Sequence, residues 1–194
     1  MAWSNRNRYD SDYEEDLSTQ KGRRGLAGEL LVGIILSGLK KKHGLRFVPS
    51  VVLPASDGNN KVQLDFVVLS KKGFFVVETK NWNCDLFCGT KDQMFWLANY
   101  NGKTVSLRNP IIQNKWHKNT LEQFTNLKFR SLVTMCNNCR LFGQTHHNVI
   151  NFRQIDEYLS ELTDIYTESE VADAYQEIFD LKRSYEVVSN DSIT

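Results

Sequence analysis

The sequence has no apolar run long enough to span a bilayer, and its first residues lack the apolar core of a secretory leader. A cytoplasmic location and no membrane partner are the expectations. It also lacks a strong charge of either sign: 24 Lys and Arg stand against 23 Asp and Glu, a formal net charge of +1. That excludes a histone-like coat protein, so any nucleic-acid contact has to come from local basic patches. There is no internal repeat, no low-complexity linker and no helix-turn-helix or other sequence-reading module. Cysteines are few. The four occur as Cys84-x3-Cys88 and Cys136-x2-Cys139, and without a leader they are expected to be reduced. The spacing of the second pair suits zinc, but residues 84–88 read as a strand and neither pair sits in a Gly-rich knuckle. Core and strand-end thiols are the expectation.

What is present is ordinary globular composition, 41% hydrophobic and 24% charged over 194 residues, enough for one domain with a core. Residues 1–20 are polar with an acidic run and are expected to form a mobile tail. Residues 21–185 form a single domain, and 186–194 a loose tail. Within the domain, 25–39 (GLAGELLVGIILSGL) reads as a helix apolar around nearly its whole wheel, hence buried on most sides. Glu29 is its only charge, costly there unless paired or metal-bound. Lys40, Lys41, Lys42 and His43 follow the helix end. Strands are expected at 46–53, 84–88, 94–98, 103–107, 130–135 and 147–152, with a turn at 56–60. Asn109-Pro110 is a helix start, Asn as cap and Pro at the first position, for a helix to about 126. A short helix over 155–162 and a last one from the Thr167-x-x-Glu170 capping box to about 182 complete a mixed α/β sheet with helices on both sides.

The centre of the chain is 62–80, VQLDFVVLSKKGFFVVETK, two apolar strands around a Lys-Lys-Gly turn. If Leu69 and Phe74 flank the turn, paired residues have a constant sum. Asp65 then faces Glu78, and Gln63 faces Lys80. Like charges directly opposed across strands destabilise a sheet, so two acids in a Val/Leu/Phe hairpin need a reason. A divalent cation supplies one by turning repulsion into coordination, with the lysine holding or deprotonating a water beside it. An ion-paired sheet, with Lys80 neutralising one acid, is the alternative.

These residues resemble a known family. Gly25-x-x-Gly28-Glu29, Val62-Gln63-Leu64-Asp65, Phe75-Val76-Val77-Glu78-Thr79-Lys80-Asn81-Trp82, Trp96 and Asn109-Pro110-Ile111-Ile112-Gln113 occur in the order found in nuclease-related (NERD) domains of the PD-(D/E)xK nuclease superfamily. The resemblance implies a restriction-endonuclease-like core: a mixed central β-sheet flanked by helices, here with an extra β-hairpin. It also implies Mg²⁺-dependent hydrolysis of phosphodiester bonds, Mn²⁺ being the other candidate ion. On that model Asp65 and Glu78 hold the metal, and Glu29 binds a metal or metal-bound water. Lys80 orients the attacking water, Gln113 positions a phosphate or the water, and Gln63 keeps Lys80 aimed. Leu64 departs from the Pro of the superfamily name, and Cys84 stands where the family tends to have Gly.

The partner implied is DNA, with RNA not excluded. Lys40, Lys41 and Lys42, and Lys115 and Lys118 on the Gln113 helix, are candidate backbone contacts; solvated helix surfaces are the plainer reading. Two rival functions remain open. One is a non-catalytic nucleic-acid-binding module. The other is a partner-binding subunit whose last helix, through Val171, Ala174, Tyr175, Ile178 and Phe179, forms a homodimer face.

Overall fold

The computed structural model describes residues 20–55 and 60–190. The tail expected over 1–20 lies, but for Gln20, outside the described residues, as do most of the turn at 56–60 and the last four residues. Two mixed sheets are built on the expected strands and on one unexpected strand, Arg140–Gly143. The first has strand order β1-β2-β3-β7-β9, from β1 (Arg46–Pro54), β2 (Lys61–Ser70), β3 (Gly73–Lys80), β7 (Arg130–Met135) and β9 (Val149–Asn151). Its first three strands are antiparallel; β7 and β9 add in parallel. The second has order β6-β5-β4-β8, from β4 (Asp85–Cys88), β5 (Phe95–Tyr100), β6 (Lys103–Arg108) and β8 (Arg140–Gly143). The extra hairpin is thus a meander of three strands with a fourth, β8, added in parallel.

Four α-helices and a 3-10 turn (Phe152–Gln154) complete the described residues: α1 (Gln20–His43), α2 (Pro110–Leu121), α3 (Ile155–Ser160) and α4 (Glu168–Asn190). Three apolar clusters join these layers. Val32 and Leu36 of α1, with Ile155 and Leu159 of α3, cover Phe66, Val68, Phe75, Val77 and Leu132 on one face of the first sheet. On the other face Leu121, Val171, Ala174 and Ile178 from α2 and α4 cover Val67, Leu69, Phe74 and Val76. The continuous run Phe74–Val77 is therefore buried on both sides, as a helix-covered sheet requires. The third cluster packs Val133, Met135 and Val149 of the first sheet against Leu86, Trp96 and Ala98 of the second. Cys84, Cys88 and Cys139 lie in this layer and Cys136 under α1. All four are free buried thiols, with burial pushing Cys88 and Cys136 up to about 11.

Several expectations are corrected. α1 is not buried on most sides: Leu26, Leu30 and Ile34, one turn apart, are 54%, 64% and 60% exposed. An apolar residue at every wheel position gives no direction, and only the Val32–Leu36 side meets the sheet. Lys40–Lys42 and His43 do not follow the helix but form its last turn, where cations suit the dipole. α2 ends at Leu121 rather than near 126, because Glu122 and Gln123 turn back onto Lys118 and Thr120 carbonyls. α4 does not stop near 182 but continues to Asn190. In its apolar stripe Val171, Ala174 and Ile178 are core, Tyr175 is partly buried against them and Phe179 is 37% exposed. No helix among the described residues is long and apolar enough to cross a membrane.

Candidate active site

The hairpin register follows the constant sum expected from its turn: Ser70↔Gly73, Leu69↔Phe74, Val68↔Phe75, Val67↔Val76 and Phe66↔Val77. There the ladder stops. Below Phe66, β2 stays paired with β1 through Leu64↔Val51 and Gln63↔Val52, while β3 stays paired with β7 through Glu78↔Val133 and Lys80↔Met135. The two strands part at the first acidic position. In place of a ladder bond, the Thr79 amide donates to Asp65 Oδ2 at 2.7 Å. The β1–β2 pairing also breaks here, between Pro49↔Phe66 and Val51↔Leu64, where Ser50 takes φ 50°. The core side switches with it: Val62 and Leu64 share a cluster with Val67 and Leu69, which unbroken alternation forbids. Gln63 lies beyond the parting, and its amide donates to Ser50 Oγ at 3.1 Å on β1.

Into this fork come Glu78 and Lys80 of β3, His117 of α2 and Glu29 of α1. Glu78 is 3% exposed. Its Oε1 lies 2.7 Å from Lys80 Nζ and its Oε2 3.0 Å from His117 Nδ1 of α2. The latter approach is off the line of a hydrogen bond, so both atoms are buried without one. Burial alone would push Glu78 up, but Lys80 and His117 overcome it and hold the carboxyl down at about 2. Asp65 moves the opposite way. Burial pushes it well above the usual carboxylate range, the charges of Glu78 and Glu29 add to that, and the Thr79 amide and Lys80 offset only part. Glu29, half-buried on α1, is raised by burial and by Glu78.

Gly28 explains how α1 brings Glu29 there. A Cβ at Gly28 would stand 2.8 Å from Asn81 Cβ and 3.3 Å from Thr79 Cγ2, so only glycine lets the helix settle on the end of β3. Asn81 Nδ2 donates to the Arg24 carbonyl at 2.6 Å and fixes that approach.

On the other face, Asn109 caps α2, its Oδ1 accepting from the Ile111 amide at 2.9 Å. Its Nδ2 donates to Gln93 and Lys91 carbonyls. Asn114 Nδ2 reaches the carbonyls of Val76 and Leu132 at 2.9 and 3.0 Å, pinning α2 over β3 and β7. Gln113 precedes His117 by one turn and shares its side of the helix.

Sequence reasoning missed His117 and Asn114. It singled out Gln113, Lys115 and Lys118 on this helix and passed over both. The buried positions are Pro110, Asn114, His117, Thr120 and Leu121, a face too polar for a hydrophobic period to mark it.

The lysines are not gathered here. Lys40–Lys42 lie roughly 16–20 Å along α1 from Glu29. Lys42 pairs with Asp156 at 2.6 Å, and Lys118 with Glu122 at 3.0 Å. Lys115 is exposed on α2. Among the described residues no three His, Cys, Asp or Glu side chains converge closely enough to hold a metal ion.

A family model described as nuclease-related domain matches residues 24–136, which contain every group of this cluster. An uncharacterized protein of Bacillus anthracis is 28% identical over 162 residues, covering 80% of this chain and 75% of that protein. No solved structure matches the chain significantly.

Proposed function

The chain belongs to the nuclease-related domain family, and from that premise we propose that it is a metal-dependent nuclease hydrolysing phosphodiester bonds of DNA. The observation that carries the reading is the fork itself: Asp65, Glu78 and Glu29 raise or resist one another's ionisation where β2 and β3 part, with Lys80 beside them. Acids gathered at such a cost suit a small hard cation. With no three ligands converging, the donor set fits one held by Asp65 and Glu78 and otherwise by water and phosphate oxygens, which is how Mg²⁺ is commonly bound. When bound, Mg²⁺ or Mn²⁺ would neutralise the phosphate and acidify a water.

The chain's own groups have distinct tasks. Glu78 is already ionised, held so by Lys80 and His117, and offers charge without shedding a proton. Asp65 loses its proton once a cation offsets its acidic neighbours. Lys80, on Glu78 Oε1 and 5.8 Å from the Trp82 ring, orients the attacking water and meets charge developing on the phosphate. Gln113 directs its amide at a phosphate or the water, and Glu29 holds a water at the rim. Gln63, bound to Ser50, supports the β1–β2 break that presents Asp65. Lys115 is a backbone contact near this cluster; Lys40–Lys42 would serve only a duplex extending along α1.

One observation favours a second reading. Both oxygens of Glu78 face a nitrogen, Lys80 or His117, which can neutralise it without a metal. The cluster would then be structural in a non-catalytic nucleic-acid-binding module. Incubation with plasmid and linear DNA in Mg²⁺, Mn²⁺ or EDTA separates the two. The nuclease cuts only with metal and loses about 10²–10⁴-fold in rate in Lys80→Ala and at least as much in Asp65→Asn. DNA shifted but never cut, with no ion uptake in calorimetry, would assign the chain to the binding class.

A further inference from the structure

The second sheet has one face on the core and, among the described residues, one face bare. Phe87, Phe95, Leu97 and Phe142 point outward, 42% to 52% exposed. The pairings Phe87↔Leu97 and Phe87↔Phe142 set three of them in one row across β5, β4 and β8. The rings of Phe87 and Phe142 stack at 5.4 Å with 24° between planes. The next row on the same face is polar: Asn99, Asp85 and Arg140, with Arg140 gripping Asp85 through two bonds of 2.6 and 2.8 Å. A polar cleft of about 370 Å³ opens at this end, where Asn83, Asn101 and Asn138 join that row. Arg108 lies beside Phe95 at the other end.

We propose that this outer face is a platform for single-stranded nucleic acid, its rings stacking on unpaired bases and its amides meeting base edges. The inference rests on nucleic acid being the substrate class. An apolar band this size needs an occupant, and the polar row decides which. A second copy packed face to face would bring like against like and strip water from Asn99, Asp85, Arg140 and the cleft without offering them partners. Single-stranded nucleic acid offers π-faces to the rings, base edges to the amides and phosphates to the cations at the rim, Arg108 among them. Exposed Lys91 and Lys103 at the strand ends add positive charge around the band, against Asp92 and the already paired Asp85. A duplex keeps its bases stacked inside and presents nothing for the rings. Short segments join the platform to the fork along the chain: only residues 81–84 separate Lys80 from Asp85, and only 109–112 separate Arg108 from Gln113.

The test is binding, not cutting. Fluorescence anisotropy of the full chain is measured in EDTA with labelled 20-nucleotide single strands of mixed sequence and with the matching duplex. Phe87→Ala/Phe142→Ala is expected to weaken single-strand binding about tenfold or more and to leave duplex binding unchanged. Because EDTA removes cutting, loss of the nuclease reading would leave this result intact. Unchanged single-strand affinity in the ring variant overturns the platform. So does sedimentation showing that the variant turns a dimer into a monomer at unaltered oligonucleotide affinity, which gives the face to a second copy. If the double variant melts early, Leu97→Ser in the same row decides by the same criterion.

Discussion

The two sheets solve the same problem differently. In the first, helices cover both faces, and β3 reads Phe-Phe-Val-Val with every side chain buried. In the second, only one face is covered, and β5 alternates: Trp96 and Ala98 are at 1% and 0% exposure, Phe95 and Leu97 at 52% and 49%. The same apolar residues are therefore core in one case and surface in the other, and the neighbouring layer decides which. The treatment of charge differs in parallel. Asp85 and Arg140 pair on the open face, where water keeps the pair cheap and of little value to stability. Glu78 and Lys80 pair in the closed sheet, where an unmatched charge costs much more. The acids sit in the first sheet only where its ladder has already parted.

The widest expected gap lies within β5 itself. Trp96→Ala should cost about 3–5 kcal/mol, because the ring fills the layer joining the sheets. Leu97→Ala, one residue on and facing water, should stay within about 0.5 kcal/mol. Urea unfolding of both variants reads the difference directly. Comparable losses would mean that the outer face is covered in solution, and the contrast between the sheets would fail.

A smaller effect is expected where the first sheet meets α2. Asn114 has no exposed surface, and its amide serves carbonyls on two strands. Asn114→Ala should cost about 2 kcal/mol by orphaning those acceptors. It should also lower cutting, since His117 and Gln113 ride on the same helix. Stability lost with activity intact would show that α2 does not position the site.

Much of this was legible in the sequence, for physical reasons. The Lys-Lys-Gly turn fixes the hairpin sum, and Gly73 at φ 142° completes it. Asn109-Pro110 fixes the start of α2. The fork was not legible, because it depends on β1 and β7 drawing β2 and β3 to different neighbours. Nor was β8: Arg140-Leu-Phe-Gly is four residues long, exposed throughout, and its partner strand lies 55 residues back in the chain. Asn114 and His117 escaped notice because a buried helix face made partly of polar residues has no hydrophobic period to follow.

The smallest effect tests the electrostatic reading of the fork. Asp65 has its pKa raised above its ordinary 3.8, so the fold favours its protonated form. Its contribution to stability is full below the ordinary value and is lost as pH rises through the raised one. Glu78, held at about 2 against an ordinary 4.5, behaves oppositely: its contribution is full above 4.5 and is lost as pH falls toward 2. At neutral pH in EDTA, holding Asp65 back from its ordinary ionisation is therefore a cost, and Asp65→Asn should stabilise the protein by about 1 kcal/mol while abolishing cutting. The replacement amide oxygen can still accept from Thr79, so the strand end is kept. Thermal melts should show the gain shrinking to nothing as pH drops below about 4, where Asp65 of the unfolded chain is protonated as well. Millimolar Mg²⁺ should raise the melting temperature of the parent chain and leave Asp65→Asn unmoved. A variant that melts lower at neutral pH, or a gain that ignores pH, would mean that the three acids do not share one field. The fork would then have no electrostatic reason to hold a cation.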